Sequence, residues 1–282
     1  MDLWYSEFHS KDVKLSIKVK KQVYSRKSKY QEIDIFDSYE FGRFLTLDGF
    51  MMLTEKDEFI YHEMITHGAL LLKPSIKKVL IIGAGDGGVL RELVKYDTIE
   101  TLDLVEIDEE VIKASKEFLK FTSIGFEDER VNVYIQDGLK YIRKFDDYYD
   151  LIIVDSTDPF GPGEGLFTKE FYGNCYNALK SDGILLNQHE SPFYDDDKKA
   201  MKRAHKRINS TFELSKVYQA FIPTYPSGHW LFGLASKNEK LFDNIDIESW
   251  NEKNIDCKYF NAELFLSSFN LPNYVKEELD NE

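Results

Sequence analysis

At 282 residues, with 43% hydrophobic and 15% aromatic side chains, the chain has the composition of a packed globular protein and not of a disordered one. Its 50 acidic residues against 36 basic ones give a net charge of -14, which argues against a general nucleic-acid or anionic-membrane surface and suits a cationic ligand. Two cysteines outside any C-x-x-C pair, no apolar run near the ~20 residues of a bilayer span, and an opening MDLWYSEFHS without the order of a signal peptide point to the cytoplasm.

The first sixty or so residues read as β-structure. VKLSIKVK alternates Val13, Leu15, Ile17 and Val19 with polar neighbours, a period of two. YQEIDIFDS and FGRFLTLDGFMMLT follow, punctuated by turn signals at Asp37-Ser38 and Asp48-Gly49. An N-terminal β-hairpin domain is therefore expected over residues 1–62. DEFIYHEMITHGALLLKP next reads as a helix stopped by Pro74.

Across the remainder, 63–282, short apolar strands alternate with amphipathic helices. The strands are KKVLIIGAG, ETLDLVEID, RVNVYIQDG, YDLIIVDSTDP and GILLNQHES; DEEVIKASKEFL and TKEFYGNCYNAL are helices between them. SKVYQAFIPTYPSGHWLFGLASK reads as an antiparallel hairpin at the sheet edge. The expectation is an α/β, Rossmann-like domain on a mostly parallel seven-stranded sheet. The basic run from Lys198 to Arg207 has helical spacing and reads as a solvated face, and the tail KEELDNE as solvated chain.

In such a sheet the ligand lies beyond the carboxyl ends of the strands. Those ends carry Asp86, Glu106 with Asp108, Asp137, Asp155 with Asp158, then Gln188 and Glu190. A single acid at a strand end is an ordinary helix cap; acids after five consecutive strands exceed what capping requires. IIGAGDGG places Gly83, Gly85 and Gly88 in the G-x-G-x-x-G spacing of a nucleotide-binding turn. Glu106, about 20 residues later, is the acid that accepts hydrogen bonds from the two ribose hydroxyls of a nucleoside. Asp137 fits either the adenine amino group or a simple Asp-Gly turn. Asp86 decides the ligand's charge. Two like charges ~4 Å apart repel by about 4 kcal/mol at an effective dielectric near 20, so the loop disfavours a pyrophosphate and favours an ammonium or sulfonium.

These residues together resemble the polyamine aminopropyltransferases, the spermidine synthases among them. LWYSEFH, YQEIDIF, LDGFMMLTEKDEFIYHEM, GAGDGGVLREL, VEID, DSTDPFGPGEGLFTKEFY, IPTYPSG and FNLPNYV carry the likeness over nearly the whole chain. The resemblance implies a class I methyltransferase-type catalytic domain that transfers the aminopropyl group of decarboxylated S-adenosylmethionine to putrescine. It assigns Gln31, Gly83, Gly85, Asp86, Glu106, Asp137, Gly138 and Pro162 to the donor nucleoside. It places Tyr61, His62, Asp86, Asp155, Asp158 and Tyr225 around the putrescine or spermidine chain, with Asp155 as the catalytic base. It also implies a homodimer or homotetramer, with no metal, no cofactor beyond the donor co-substrate, and neither nucleic acid nor membrane as a partner.

The chemistry accounts for the acids. A primary amine with a pKa near 10.4 is neutral in only ~1 part in 2,500 at pH 7, about 4.6 kcal/mol from reactive. Asp158 and Tyr225 would anchor the distal ammonium while Asp155 takes the proton, directly or through Tyr61 or water. Asp86 would meet the carboxylate of ordinary S-adenosylmethionine and so select the decarboxylated donor. DPFGPGEG reads as a lid, or else as an ordinary loop. HEMITH has one residue too many for a zinc-protease helix: His62 and His67 stand about 140° apart. His9, His205 and His229 show no partner in the sequence. Three rivals are a methyltransferase, a non-catalytic polyamine-binding protein and, more distantly, a dinucleotide dehydrogenase. The acceptor could also be agmatine, cadaverine or spermidine.

Overall fold

The computed structural model describes residues 2–156 and 161–280. Five strands, β1 (Leu3–Ser10), β2 (Val13–Lys27), β3 (Glu32–Ser38), β4 (Arg43–Leu47) and β5 (Phe50–Thr54), form an antiparallel sheet in chain order. The period-two pattern is why: Ile17 and Val19, then Ile33 and Ile35, bury their side chains while their neighbours face outward. The helix α1 (Glu58–Leu72) begins four residues after β5, so residue 62, the expected division, lies inside it. α1 buries every residue but Phe59, which explains its apolar composition and its lack of an amphipathic stripe.

The second layer runs β6 (Lys78–Gly83), α2 (Gly88–Leu93), β7 (Thr101–Glu106), α3 (Glu109–Phe118), α4 (Lys120–Ser123), β8 (Val131–Ile135), α5 (Gly138–Ile142), β9 (Tyr149–Asp155), α6 (Lys169–Ala178), β10 (Leu179–Gln188), α7 (Asp195–Asn209), β11 (Leu214–Phe221) and β12 (His229–Ser236). Its seven strands are ordered β11-β12-β10-β9-β6-β7-β8, with only β12 antiparallel to its neighbours. The order reverses at β6, whose partners are β7 on one side and β9 on the other. That reversal opens a crevice at the carboxyl ends, and register fixes its rim by pairing Gly83 with Asp155 and Ile82 with Val105. β8 is the exposed edge, which leaves Val133 and Ile135 solvated.

Three short helices, α8 (Ile247–Glu252), α9 (Ala262–Ser267) and α10 (Asn273–Asp280), close the chain against the sheet. Phe260 and Phe265 are buried core residues. The acidic tail is more than solvated chain: Glu278 pairs with Lys202 at 3.1 Å and Lys198 at 3.6 Å across to α7, and Val275 is buried beneath. Among the described residues no helix is long and apolar enough to cross a membrane.

Candidate active site

A cavity of about 330 Å³ opens at the carboxyl ends of β6, β7, β9 and β10, roofed by the N-terminal sheet. Gln31, Glu106, Asp137 and Gly138 line one side; Tyr61, His62, Asp155, Tyr225 and Trp230 line the other; Gly83, Gly85 and Asp86 join the two. Asp158 lies outside the described residues, as does much of the expected lid, and Pro162 falls in the 3-10 segment Gly161–Phe167.

Local turns build the first side. The Asp108 amide donates to Glu106 Oε1 at 2.8 Å, fixing the carboxylate at the end of β7. Burial pushes Glu106 up to about 7 against that amide, and the charges of Asp108 and Asp86 push the same way. Asp108 itself is not on the rim. It caps α3 through the Glu110 amide at 3.1 Å and accepts from Ser28 Oγ at 2.6 Å and Gln31 Nε2 at 3.1 Å, so Gln31 reaches the cavity held by Asp108. Asp137 forms the turn, its Oδ1 capping α5 through the Leu139 amide at 2.9 Å, and it also lines the cavity.

The glycine turn serves this chain's own side chains as much as any ligand. Gly83 has φ +89°, and a Cβ there would run into the backbone carbonyl of Asp155, so glycine lets β6 and β9 converge at the rim. A Cβ on Gly88 would land in the imidazole of His62. The third glycine of the motif thus makes room for a histidine packed on the start of α2.

That histidine corrects the simple electrostatics of Asp86. His62 Nε2 lies 3.2 Å from Asp86 Oδ1, and its Nδ1 lies 2.6 Å from Glu58 Oε2. Burial disfavours the imidazolium, but the two carboxylates outweigh it and raise His62 to about 10. Burial likewise opposes ionisation of Asp86, and His62 with the Gly88 amide at 2.8 Å overcomes it and holds that acid below its ordinary range. The loop that the sequence shows wanting a cation already has one. His62, Asp86 and Asp155 bring ligand atoms within 4.8 Å of one another, yet both imidazole nitrogens are engaged by carboxylates, so the cluster is an ion-pair network in this form.

Asp155 ends β9 beside this network. Tyr61 donates to its Oδ1 at 2.5 Å. Burial, then the Asp86 charge, raises Asp155 to about 6, while His62 and Tyr61 pull the other way. Tyr61 is itself pushed well up by burial and by Asp155, so it stays a phenol and a donor. Tyr225 packs its ring 5.8 Å from Tyr61 and 4.8 Å from Trp230, and its hydroxyl donates to the Met52 carbonyl at 2.5 Å.

Some functional side chains had no role in the sequence reading. Asp57 Oδ2 accepts from the Thr224 amide at 3.0 Å and hydroxyl at 2.8 Å, while its Oδ1 accepts from Thr54 at 2.6 Å. It ties the Tyr225 loop to β5 and α1. Glu58 and Arg91 brace His62, with Arg91 Nη1 and Nη2 at 2.7 and 2.9 Å from the Glu58 oxygens. The one signal for Glu58 was its i,i+4 spacing to His62. Of the histidines without apparent partners, only His229 gains hydrogen bonds among the described residues, to Tyr274 and Gln219; His9 Nδ1 lies 3.2 Å from Glu7 Oε1 without bonding it, and His205 packs edge-on against His189 with its Nδ1 unbonded. His67 is bonded to Glu92 at 2.9 Å and Tyr96 at 2.6 Å, away from His62.

Residues 58–245 match the spermine/spermidine synthase domain, and residues 3–55 match the spermidine synthase tetramerisation domain. The chain is 61% identical to the polyamine aminopropyltransferase of Alkaliphilus oremlandii, over 100% of this chain and 99% of that one. It is 58% identical to that of Clostridium beijerinckii, over 99% of both. A solved spermidine synthase in complex with the transition state analogue AdoDATO is similar at TM-score 0.95 and 47% identity, covering 98% of this chain and 94% of that one. The spermidine synthase of Thermotoga maritima is similar at TM-score 0.94 and 46% identity, with the same coverage.

Proposed function

The chain belongs to the spermine/spermidine synthase family of polyamine aminopropyltransferases, and we propose that it makes spermidine, moving the aminopropyl group of decarboxylated S-adenosylmethionine onto putrescine. The observation that carries this is the pairing of Asp155 with Gly83 across β6 and β9. It sets a carboxylate with a pKa near 6 beside Asp86, between a nucleoside-type acid and an aromatic channel.

Glu106 and Asp137 would hold the ribose and adenine, and Gln31 and Gly138 would flank the base. Asp86 would face the aminopropyl ammonium. Putrescine would lie along Tyr61 and Tyr225, its far ammonium on Asp158. One neutral amine nitrogen attacks the methylene next to sulfur, the carbon–sulfur bond breaks, and its electron pair stays on sulfur as methylthioadenosine. The nitrogen's proton goes to Asp155, which is ionised at neutral pH and already accepts from Tyr61 at Oδ1. The sulfonium is already an activated leaving group, so the reaction asks for no metal or resident cofactor. Alignment of nitrogen, carbon and sulfur would supply much of the rest, about 7–11 kcal/mol at best.

The match over residues 3–55 supports a homo-oligomer, a dimer or tetramer, which light scattering would weigh directly. The two free cysteines support a reducing cytoplasm. The deciding experiment is methylthioadenosine release from decarboxylated S-adenosylmethionine with putrescine, cadaverine, agmatine and spermidine in turn, with and without a chelator. Turnover dominated by putrescine is expected. Preference for another amine would move the acceptor within the same mechanism, and silence with all four would leave a binding protein.

A further inference from the structure

We propose that Glu58 is a positioning residue which, braced by Arg91, locks His62 as a permanent imidazolium against Asp86, and that this built-in cation keeps Asp155 ionised. The last step rests on the proposed role of Asp155 as proton acceptor; the locked cation does not.

The hydrogen-bond geometry carries the inference. His62 is 3% exposed, so no solvent satisfies its ring. Nδ1 stands at 2.6 Å from Glu58 Oε2, an acceptor, and must carry a proton. In a neutral ring Nε2 would then present a lone pair to Asp86 Oδ1 at 3.2 Å, acceptor against acceptor. Only a second ring proton or a protonated Asp86 relieves that. The Gly88 amide donates to the same Oδ1 at 2.8 Å, which favours the ionised carboxylate. The proton therefore belongs on His62.

Glu58 is what could release it, and Glu58 is itself fixed. The Arg91 guanidinium grips both of its oxygens, and Arg91 is tied in turn to Glu92 at 2.8 Å and to the Phe121 carbonyl at 2.8 Å. Charges alternate along the chain Asp86, His62, Glu58, Arg91, Glu92, so each buried ion has an opposite neighbour. The groups facing His62 are Glu58 and Tyr61 on its own helix, Asp86 from the glycine turn, Asp155 from β9, and Arg91 of α2 behind Glu58. Gly88 lets the ring sit there at all.

A fixed cation in a site for cationic substrates needs a reason. Asp86 and Asp155 lie close enough that repulsion between their carboxylates raises the pKa of Asp155 toward keeping a proton, as in other paired carboxylates. His62 offsets that repulsion, lowering the pKa of both acids. Both acids then stay ionised, Asp86 for the donor amine and Asp155 for the attacking one.

The test has two parts. The protein has 6 histidines, so 15N-histidine-labelled enzyme, with His62→Gln for assignment, reports ring protonation without any turnover. His62 is expected to hold both protons at about pH 8, where an ordinary imidazole is neutral, and to titrate lower in Glu58→Gln. A wild-type His62 that is neutral at that pH, or one unaffected by Glu58→Gln, overturns the proposal. The second part is the pH profile of kcat with saturating substrates. In His62→Gln the acid limb is expected to move up by about 1 to 3 pH units, with activity recovering on the alkaline side. A uniform loss at every pH, with the limb unmoved, would make His62 a packing residue and overturn the second half.

Discussion

The two sides of the cavity are built over different distances in sequence. On the proposed nucleoside side, Glu106 is fixed by an amide two residues on, and Asp137 by the amide of Leu139. On the transfer side, the Tyr61–Asp155 bond spans 94 residues, Asp57–Thr224 spans 167, and Tyr225–Met52 spans 173. The acids of the first are set by strand-end turns, while Gln31, held by Asp108 across 77 residues, reaches it from the N-terminal sheet. The second exists only when N-terminal sheet, central sheet and terminal hairpin are assembled together. Substitutions on the first side should therefore act on donor binding alone, whereas those on the second should separate binding from turnover.

Asp155→Asn should give the largest effect. It removes the proposed proton acceptor and keeps the shape, so kcat is expected to fall by more than ~100-fold while methylthioadenosine affinity stays near wild type. Equal losses in both would make Asp155 a binding residue and erase the contrast between the two sides. Glu106→Gln probes the opposite side. Ribose hydroxyls would donate to the ionised carboxylate, and charge-assisted bonds of about 1.5–3 kcal/mol correspond to roughly 10- to 150-fold in Kd. Because the free acid titrates near 7, binding favours loss of its proton. Wild-type affinity should thus tighten as pH rises through about 7 and level off above it. Calorimetry with methylthioadenosine should show that slope vanish in Glu106→Gln with kcat little changed; a persisting slope would move the titration to another group.

The same difference decides what the sequence could disclose. Strand-end acids, the glycine turn and the alternation of VKLSIKVK are local signals, and from them the two sheets and the acids of the cavity rim were legible. Resemblance placed Tyr61 and Tyr225 together; spacing alone would have left Tyr225 a turn residue between two prolines. The ion-pair state of Asp86 was not legible, because it depends on a ring packed against Gly88 from another element. Nor was Asp57, whose partners arrive from the far end of the chain. A carboxylate looks alike in sequence whether it caps a helix as Asp108 does, binds a ligand, or joins two domains.

Asp57→Asn tests that joint at smaller scale. Asparagine keeps one acceptor for Thr54 or Thr224 and loses the charge, at about 0.5–1.5 kcal/mol per bond weakened. Tyr225 and its loop would loosen from β5 while the nucleoside side keeps its own turns. The acceptor KM is expected to rise by roughly 3- to 10-fold, with donor KM unchanged. Asp57→Glu, which restores the charge, should recover less than Asn loses if placement matters more than charge. A rise in donor KM of similar size would show that the two sides share this support and are not separately built.

The smallest effect is expected beneath the acceptor wall. Gln188 and Glu190 line the cavity, and His189 between them points away into the fold, where its Nδ1 meets Asn187 at 3.1 Å and its ring packs on His205. Burial, then the His205 charge, pushes His189 down to about 3. An ordinary histidine in the unfolded chain titrates near 6.5, so between the two values the unfolded state binds the extra proton. Stability is therefore full above about 6.5 and is lost as pH falls toward 3. His189→Gln, neutral throughout, should flatten the acid side of the denaturation profile and leave the alkaline side alone. Because this proton is taken up by the long-range side of the site, acid should loosen the acceptor wall before the nucleoside turns. Hydrogen exchange below pH 6 that opens β10 and α7 ahead of β7 would bear out that order, and the reverse order would assign the weaker support to the local side.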